Sequence, residues 1–373
     1  MNIYGPGKMF GVALDVSDDP WNLRLRLASI WAELQGQKLD QGPYDAMVRS
    51  LGTRSKSIEL AGVVPLASWL GPRPKPADVP FLTQAKMQEF VEGGGLLEVT
   101  RQVKGFVIDR ILPHPPIMIG VDHSASGGVV SALSEALGPD QLTVVVLDHH
   151  FDGLDSEVRT FAPSDENGDS LPAFASDDPT AVGHDYCCGS FWGHLIDAGI
   201  LRPEHLLFVG VGDYPVERPE KEWDLFQRKY LEFEERGCGF FPLLAFEGQY
   251  ESQLTEFLRA KITTPYVYVS LDLDVGSGRC VQAARYMDGM GIEMKAIMDV
   301  VRFLADGHRS GAFRIAGLDV MEFNMHLLDT EPEADAKDMT IQTAWAFIDG
   351  LSESFYADGR FQGGSKYEAG NNS

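Results

Sequence analysis

The fold is decided by the stretch Leu142-Thr143-Val144-Val145-Val146-Leu147-Asp148-His149-His150-Phe151-Asp152. Its first six residues are apolar apart from one threonine and rich in β-branched side chains, which predicts a buried strand. Side chains alternate across a strand, so Asp148, His150 and Asp152 are expected on one face, and His149 is expected to face away and pack structurally. Ionisable groups at the end of a buried strand are costly unless a cation compensates them. The stretch therefore indicates a metal site, with an ion-free polar cluster as the alternative.

The composition narrows the class of protein. The chain has 373 residues, 44% of them hydrophobic and 23% charged, which is typical of a soluble globular protein with a large core. Its formal charge of −24 argues against nucleic-acid binding, which needs clustered Lys and Arg, and suits a cationic partner. The four cysteines are too few and too scattered for a disulfide framework. No apolar run approaches the length of a membrane span, and we expect a cytoplasmic protein.

Strand-like and helix-like segments alternate along the chain. Strands are predicted at 9–15, 58–64, 116–121, 142–148, 206–211, 265–271 and 313–318. Helices are predicted at 21–34, 84–103 with a glycine interruption, 126–137, 187–199, 219–236, 250–262, 290–305 and 339–356. Repeated β-then-α units with apolar strands predict an α/β fold, a three-layer α-β-α architecture around a mainly parallel, doubly wound sheet. We expect one large domain over residues 1–357.

Three segments interrupt this alternation. The segment 71–80 contains four prolines and is predicted to be an irregular loop. The segment 151–185 is acidic, rich in turn formers and without hydrophobic periodicity, so it is predicted to be a long loop that is functional or disordered. A solvated surface is the commoner role of such a loop, and a loop that closes over the site would favour a cationic substrate. The tail 358–373 is rich in Gly, Asn and Ser and is predicted to be disordered.

Polar side chains follow four of the predicted strands at their C-terminal ends. They are His123; Asp148, His150 and Asp152; Asp272 and Asp274; and Glu322. In open α/β sheets, ligands bind beyond the C-terminal ends of the strands. Without Glu322, the two imidazoles and four carboxylates exceed the needs of one ion and match two divalent ions about 3.5 Å apart. Oxygen-rich ligation without thiolates favours Mn²⁺, with Fe, Co, Ni and Zn open.

Four motifs resemble those of the arginase/agmatinase (ureohydrolase) family. The segment Gly120-Val121-Asp122-His123-Ser124 resembles the family's G-G-D-H-S, and Asp148-His149-His150-Phe151-Asp152 resembles its D-A-H-x-D. Ser270-Leu271-Asp272-Leu273-Asp274 is similar to S-x-D-x-D, and Gly317-Leu318-Asp319-Val320-Met321-Glu322-Phe323-Asn324 to D-x-x-E-x-N. Order and approximate spacing agree over 115–325. The chain thus looks like a divergent member.

The resemblance implies an arginase-like fold and a set of site residues. The implied ligands of two divalent ions are His123, Asp148, His150, Asp152, Asp272 and Asp274. Glu322 would hold the substrate's guanidinium. His184 lies where the family carries the catalytic histidine of an H-G segment, although Cys188-Gly189 also fits that slot. Members of the family are mostly homo-oligomers, so the resemblance also implies a homo-oligomer.

The implied reaction is hydrolysis of a guanidino C–N bond to urea and an amine. Two metal ions lower the pKa of a bridging water, so that hydroxide is available near neutral pH. Asp152 would accept the water's proton or orient the hydroxide, and His184 would bind substrate and pass a proton to the leaving amine. Glu322 would pair bidentately with the guanidinium. The partner is then a small cationic guanidino compound, such as arginine or agmatine, or arginine within a basic peptide.

One loop departs from the family pattern and keeps other functions open. After Asp274 the family continues with x-x-Asp-Pro, whereas this chain has Val275-Gly276-Ser277-Gly278-Arg279. The first alternative is a zinc-dependent deacetylase or amidohydrolase of related fold, which uses one ion. The second is a non-catalytic binding protein with a degraded site. The Asp272/Asp274 pair and the third acid, Asp152, favour two ions over one.

Overall fold

The structure is a computed structural model that describes most of the chain. The described residues are 3–51, 58–153, 186–212, 214–215, 225–287, 289–328 and 338–356. His184, nearly all of the acidic loop 151–185 and the tail 358–373 lie outside these ranges, so the predictions made for them stay predictions.

The described strands form a single parallel sheet. They are β1 (Gly7–Val12), β2 (Ile58–Val63), β3 (Pro116–Gly120), β4 (Leu142–Leu147), β5 (Leu206–Val209), β6 (Gly239–Phe241), β7 (Tyr266–Asp272) and β8 (Arg314–Met321). Their order in the sheet is β2-β1-β3-β8-β7-β4-β5-β6, and every pairing is parallel. The four strands whose ends carry the predicted site residues, β3, β8, β7 and β4, are therefore neighbours in the middle of the sheet.

Helices cover both faces of this sheet. They are α1 (Pro20–Leu34), α2 (Pro43–Ser50), α3 (Gln84–Glu92), α4 (Gly95–Phe106), α5 (Ser126–Leu137), α6 (Phe191–Asp197), α7 (Leu225–Glu235), α8 (Glu251–Lys261), α9 (Met294–Ser310), α10 (Met325–Leu328) and α11 (Thr340–Ser352). Short 3₁₀ turns lie at Ser68–Leu70, Pro76–Phe81, His123–Ala125, Pro139–Gln141, Pro203–His205, Leu243–Phe246, Leu273–Gly276 and Glu353–Tyr356, and a π-helical turn at Val107–Ile111. None of the described helices combines the length and the apolar character that a membrane crossing requires.

Strand β4 shows why the molecule has three layers. All six of its residues are buried. Val144 and Val146 pack into the core on one side of the sheet with residues of α4 and α5, whereas Val145 and Leu147 pack into the opposite core with residues of α9 and α11. Because alternate side chains reach opposite faces, a strand with two cores must be apolar throughout. The predicted α/β fold class and three-layer architecture are confirmed.

Some predicted elements differ from the structure. No helix was predicted between residues 34 and 58, but this segment contains α2, which starts at Pro43 and buries Tyr44 and Met47. The proline-rich segment 71–80 is not wholly irregular, because a 3₁₀ turn begins at Pro76. Strand β6 was not predicted, and α6 begins later than expected. The extent of the domain, 1–357, stays a prediction.

Candidate metal centre

The segment after β4 bends instead of continuing as a strand. β4 ends at Leu147, and Asp152 has a left-handed backbone with φ 52°. The prediction that strand alternation places Asp148, His150 and Asp152 on one face was therefore wrong in its geometry, because the ladder stops before them. The bend nevertheless brings all three side chains to one place. Phe151 anchors it, packing its ring against the rings of Phe208, Tyr230, Phe233 and Phe240.

The first group of potential ligands surrounds one nitrogen of His123. His123 Nδ1 lies 2.9 Å from Asp152 Oδ2, 3.0 Å from Asp272 Oδ2 and 3.3 Å from Asp148 Oδ2. The His123 and Asp148 side chains are fully buried, and Asp152 is the most exposed of the three acids at 12%. One ligand atom from each of the four residues lies within 4.8 Å of the others, which is close enough to hold a single ion.

A second group shares one of these acids. It consists of Asp148, His150 and Asp274, whose ligand atoms also lie within 4.8 Å of one another. His150 Nδ1 is 2.8 Å from Asp274 Oδ2, and the His150 backbone N–H donates to Asp148 Oδ1 at 2.6 Å. The Asp274 N–H donates to Asp272 Oδ1 at 3.0 Å, which joins the two groups on the β7 side. The structure thus brings together all six residues predicted as metal ligands.

The electrostatics of the cluster call for positive charge. Burial and the neighbouring carboxylates raise the pKa of Asp148 to about 8, and burial raises the pKa of Asp152 to about 6. Burial alone would lower the pKa of His150, but its hydrogen bond to Asp274 and the surrounding acids raise it to about 11. Asp148 and Asp152, buried among other acids, thus bind protons more readily than free carboxylates when no other cation is present. Two divalent ions would supply the same compensation.

A hydrogen-bonded chain behind His123 fixes the orientation of its ring. The Ser270 hydroxyl donates to Asp319 Oδ1 at 2.7 Å, and Tyr268 donates to Asp319 Oδ2 at 2.5 Å. Because Ser270 has given its only proton to Asp319, its oxygen accepts from His123 Nε2–H at 2.9 Å. Nδ1 is therefore the ring nitrogen that faces the three carboxylates. Hydrogen bonds to the other ring nitrogen orient metal-binding histidines in the same way. The sequence analysis missed this role of Asp319, although it lies in the last quoted motif.

Glu322 lies beside the cluster but is already engaged. It follows β8 with a left-handed backbone, φ 62°, and is buried. Glu322 Oε1 accepts the backbone N–H of His123 at 2.9 Å, and Glu322 Oε2 lies 3.6 Å from Arg285 Nε. Arg285 Nη1 lies in turn 3.6 Å from Asp15 Oδ1. Neither Arg285 nor Asp15 was predicted from the sequence, and the one sequence signal near Arg285 is the altered loop 275–279 that precedes it.

Three further residues were singled out in the sequence, and the structure describes two of them. His149 packs its ring edge-to-face on His150 at 5.3 Å and against Gly212, where a Cβ atom would come within 2.2 Å of the His149 ring. Within the two ligand groups found in the described part of the chain, neither ring nitrogen of His149 takes part. Cys188 is a free thiol. His184 lies outside the described residues.

Comparisons with known proteins agree with this geometry. The model of the Arginase family matches residues 73–350, more than half of the chain, and the chain therefore belongs to the arginase family. None of the curated proteins compared with the sequence matches it significantly. The family assignment confirms the predicted enzyme class, a ureohydrolase-type hydrolase, the class that acts on C–N bonds of linear amidines.

Several solved structures share the fold. Formimidoylglutamase from Bacillus subtilis has a TM-score of 0.57 and 14% identity, covering 95% of this chain and 87% of that one. Proclavaminate amidino hydrolase from Streptomyces clavuligerus has a TM-score of 0.56 and 19% identity, covering 96% and 93%. Formiminoglutamase from Trypanosoma cruzi, solved with Mn²⁺, has a TM-score of 0.53 and 11% identity, covering 94% of each chain. At these identities the likeness establishes the fold alone.

Proposed function

We propose that this protein is a two-metal hydrolase that breaks a C–N bond at a planar carbon carrying at least two nitrogens. The guanidino group, which would yield urea and an amine, is the form predicted from the sequence. The observation that carries the proposal is the pair of ligand groups sharing Asp148, one completed by His123, Asp152 and Asp272, the other by His150 and Asp274. A single-zinc deacetylase would need only one such group.

The chemistry of the donors supports two hard or borderline divalent ions. Each group offers carboxylate oxygens and one imidazole nitrogen, with no thiolate among its members. Four carboxylates balance the charge of two divalent ions. This ligand set suits Mn²⁺, the metal we propose, and the T. cruzi formiminoglutamase of the same fold was solved with Mn²⁺.

The protein's own residues would divide the remaining work. Metals bound here would polarise the planar carbon and lower the pKa of a water. Asp152 is the most exposed carboxylate of the first group, so it lies on the side open to substrate and is proposed to orient that water and accept its proton. His184 is proposed to carry a proton to the leaving amine. The Ser270–Asp319 pair holds His123 in place.

Metal content and amine release test this proposal together. We expect the full-length protein loaded with Mn²⁺ to hold two ions and to release amine from at least one member of a panel of guanidino, formimino and ureido compounds. Asp148→Asn removes the shared ligand and should lower activity by at least about 100-fold with loss of metal. Asp140→Asn, an exposed acid paired with Arg202, is the matched control. One tightly held zinc per chain, without gain from added Mn²⁺, would falsify the proposal.

The family assignment also supports two coarser proposals. We propose that the protein is a homo-oligomer of single-domain subunits and that it binds a small molecule, not a nucleic acid. Light scattering on the purified protein tests the first, and a monomer would contradict it. The second agrees with the formal charge of −24, which disfavours phosphate backbones.

A further inference from the structure

The predicted substrate anchor Glu322 is occupied by an arginine of the same chain. Arg285 Nε lies 3.6 Å from Glu322 Oε2, and both side chains are buried, 5% and 2% exposed. Their contact is fixed by the backbone: the Arg285 N–H donates to the Glu322 carbonyl at 2.8 Å, and the Asn324 N–H donates to the Ala283 carbonyl at 2.9 Å. The segment 283–285, which follows the altered loop, is thus paired with the segment that carries Glu322, and these backbone hydrogen bonds place Arg285 beside it.

The charge of Arg285 is held by its surroundings. Burial alone would lower the pKa of Arg285. Electrostatic interactions with the groups around it, Tyr286, Glu322, Asp15 and Asp122, raise this pKa well above its ordinary value. Its guanidinium also lies over the Tyr286 ring, 4.8 Å from the centroid, and donates to the Tyr286 hydroxyl at 2.9 Å. Arg285 therefore stays a cation beside the metal cluster, where a substrate guanidinium was expected.

Two buried polar atoms of this pair still lack hydrogen-bond partners. In the described residues, Arg285 Nη1 and Glu322 Oε2 have no hydrogen-bond partner. The contact of Nη1 with Asp15 Oδ1 and the contact of Oε2 with Arg285 Nε are both 3.6 Å long, which is too long for a hydrogen bond. Buried unsatisfied groups of this kind call for an explanation, and a ligand is one. Arg285 Nη1 therefore still needs an acceptor, and Glu322 Oε2 still needs a donor.

We propose that Arg285 is a specificity-determining residue that excludes the cationic guanidino group and selects its uncharged isostere, the ureido group. This inference rests on the proposed two-metal hydrolysis and names its substrate class. A ureido group differs from a guanidinium by one oxygen in place of one nitrogen. Its oxygen accepts from Arg285 Nη1 and its NH₂ donates to Glu322 Oε2, which satisfies both atoms. A guanidinium would bring a second cation and only N–H donors against Arg285.

The reaction balances without any further reactant. The oxygen of water bonds to the ureido carbon, and the bond from that carbon to the substituted nitrogen breaks. The leaving amine takes up a proton from the water. Its partner product is carbamate, which decomposes to ammonia and carbon dioxide. A guanidino substrate would release the same amine together with urea, so the amine measures both reactions and urea separates them.

Matched substrate pairs test the inference. N-carbamoylputrescine and agmatine share one amine product, and citrulline and arginine share another. On the Mn²⁺-loaded full chain we expect kcat/KM for the better ureido compound to exceed that of its guanidino partner at least about 10-fold. Arg285→Gln should shift that ratio toward the guanidino compound by about 100-fold, because like charges and unmatched donors no longer oppose it. Arg285→Lys keeps the charge and should keep the wild-type preference, as should Arg302→Gln, an exposed arginine on α9.

The outcomes separate this inference from the proposed function. A wild-type preference for agmatine or arginine overturns the inference even if no variant folds. So does an unchanged ratio in a folded, metal-loaded Arg285→Gln protein. If the protein binds two metals but cleaves neither pair, the proposed hydrolysis fails, and calorimetric binding decides the inference: tighter binding of the ureido compound supports it, and equal or tighter binding of the guanidino compound overturns it.

Discussion

Backbone strain is concentrated in the residues of the candidate centre. Among the described residues, three that are not glycine have a left-handed backbone: Asp152 at φ 52°, Tyr286 at φ 50° and Glu322 at φ 62°. Each such residue costs on the order of 1–3 kcal/mol and persists only where the surrounding structure holds it. One is a proposed ligand, one is the predicted anchor and one stacks on Arg285. Strain at this single place agrees with a functional site.

The Ser270 hydroxyl provides the first residue-scale prediction. Ser270→Ala should weaken Mn²⁺ binding by about 10–100-fold, because His123 loses the acceptor that fixes its tautomer and ring orientation. Mn²⁺ affinity is measured by titration calorimetry on the metal-free protein. Ser131→Ala, which removes a buried hydroxyl bonded to the Gly127 carbonyl on α5, is the matched control and should leave the affinity unchanged. Equal Mn²⁺ affinity in Ser270→Ala and wild type would show that the hydrogen bond from His123 to Ser270 does not orient the His123 ring for metal binding.

The sequence reveals residue types more readily than residue partners. His123, Asp148 and Asp272 could be proposed as neighbours because polar side chains at the ends of adjacent parallel strands meet at one edge. Arg285 could not, because its place beside Glu322 depends on backbone hydrogen bonds of an irregular loop without periodicity. Asp152 was predicted as a ligand, but it reaches the cluster through a left-handed bend and not through the strand alternation from which it was predicted.

At the scale of elements, prediction succeeded where burial is complete. β3, β4 and β7 lie inside the sheet with apolar side chains facing both cores, so their sequences are continuous hydrophobic runs. β6 has only three residues, too few for any period, and is defined by its pairing with β5. α2 is eight residues long and lies within a polar segment. Its buried side is defined by its packing on the sheet and not by a periodic pattern in the sequence. Short elements depend on tertiary contacts that the local sequence does not encode.

A contact between two short segments gives a pH-dependent prediction. Arg73 Nη2 donates to the Met325 carbonyl on α10 at 2.9 Å, and Arg73 Nη1 lies 3.0 Å from His326 Nδ1. Because arginine can only donate, Nδ1 must accept, and the His326 ring is neutral. Burial, followed by the charge of Arg73, lowers the pKa of His326 to about 4. The unfolded chain, with a histidine pKa of about 6.5, therefore binds more protons between pH 6.5 and pH 4.

Stability should consequently fall through this window as the pH is lowered. The shift in the pKa of His326 should lower the free energy of unfolding by up to about 3 kcal/mol between pH 7 and pH 4. Urea unfolding at a series of pH values measures it, and His326→Gln serves as the reference because both proteins carry the same acids. The wild type should lose more stability than the variant. Parallel pH profiles would contradict a neutral, buried His326.

At the scale of the whole molecule, the sheet order assembles the centre. His123 and Glu322 are 199 positions apart in the sequence, yet they share a hydrogen bond because β3 and β8 are neighbours. The sequence predicts that strand ends meet at one edge of a parallel sheet, but it does not predict which strands are adjacent. That order follows from how the helices pack on both faces, which is a property of the complete chain.

The charge of the whole molecule makes metal removal the broadest test. The chain has a formal charge of −24, and the ligand cluster brings four acids together in its interior. Without metal, repulsion between these acids should destabilise the folded state. Metals that bind only the folded state stabilise it by about 2.7 kcal/mol at a free concentration 100 times the dissociation constant. Chelation should therefore lower Tm at neutral pH, and added Mn²⁺ should restore it in the wild type but not in Asp148→Asn. An identical Tm with and without chelator would show that the cluster holds no ion that the fold requires.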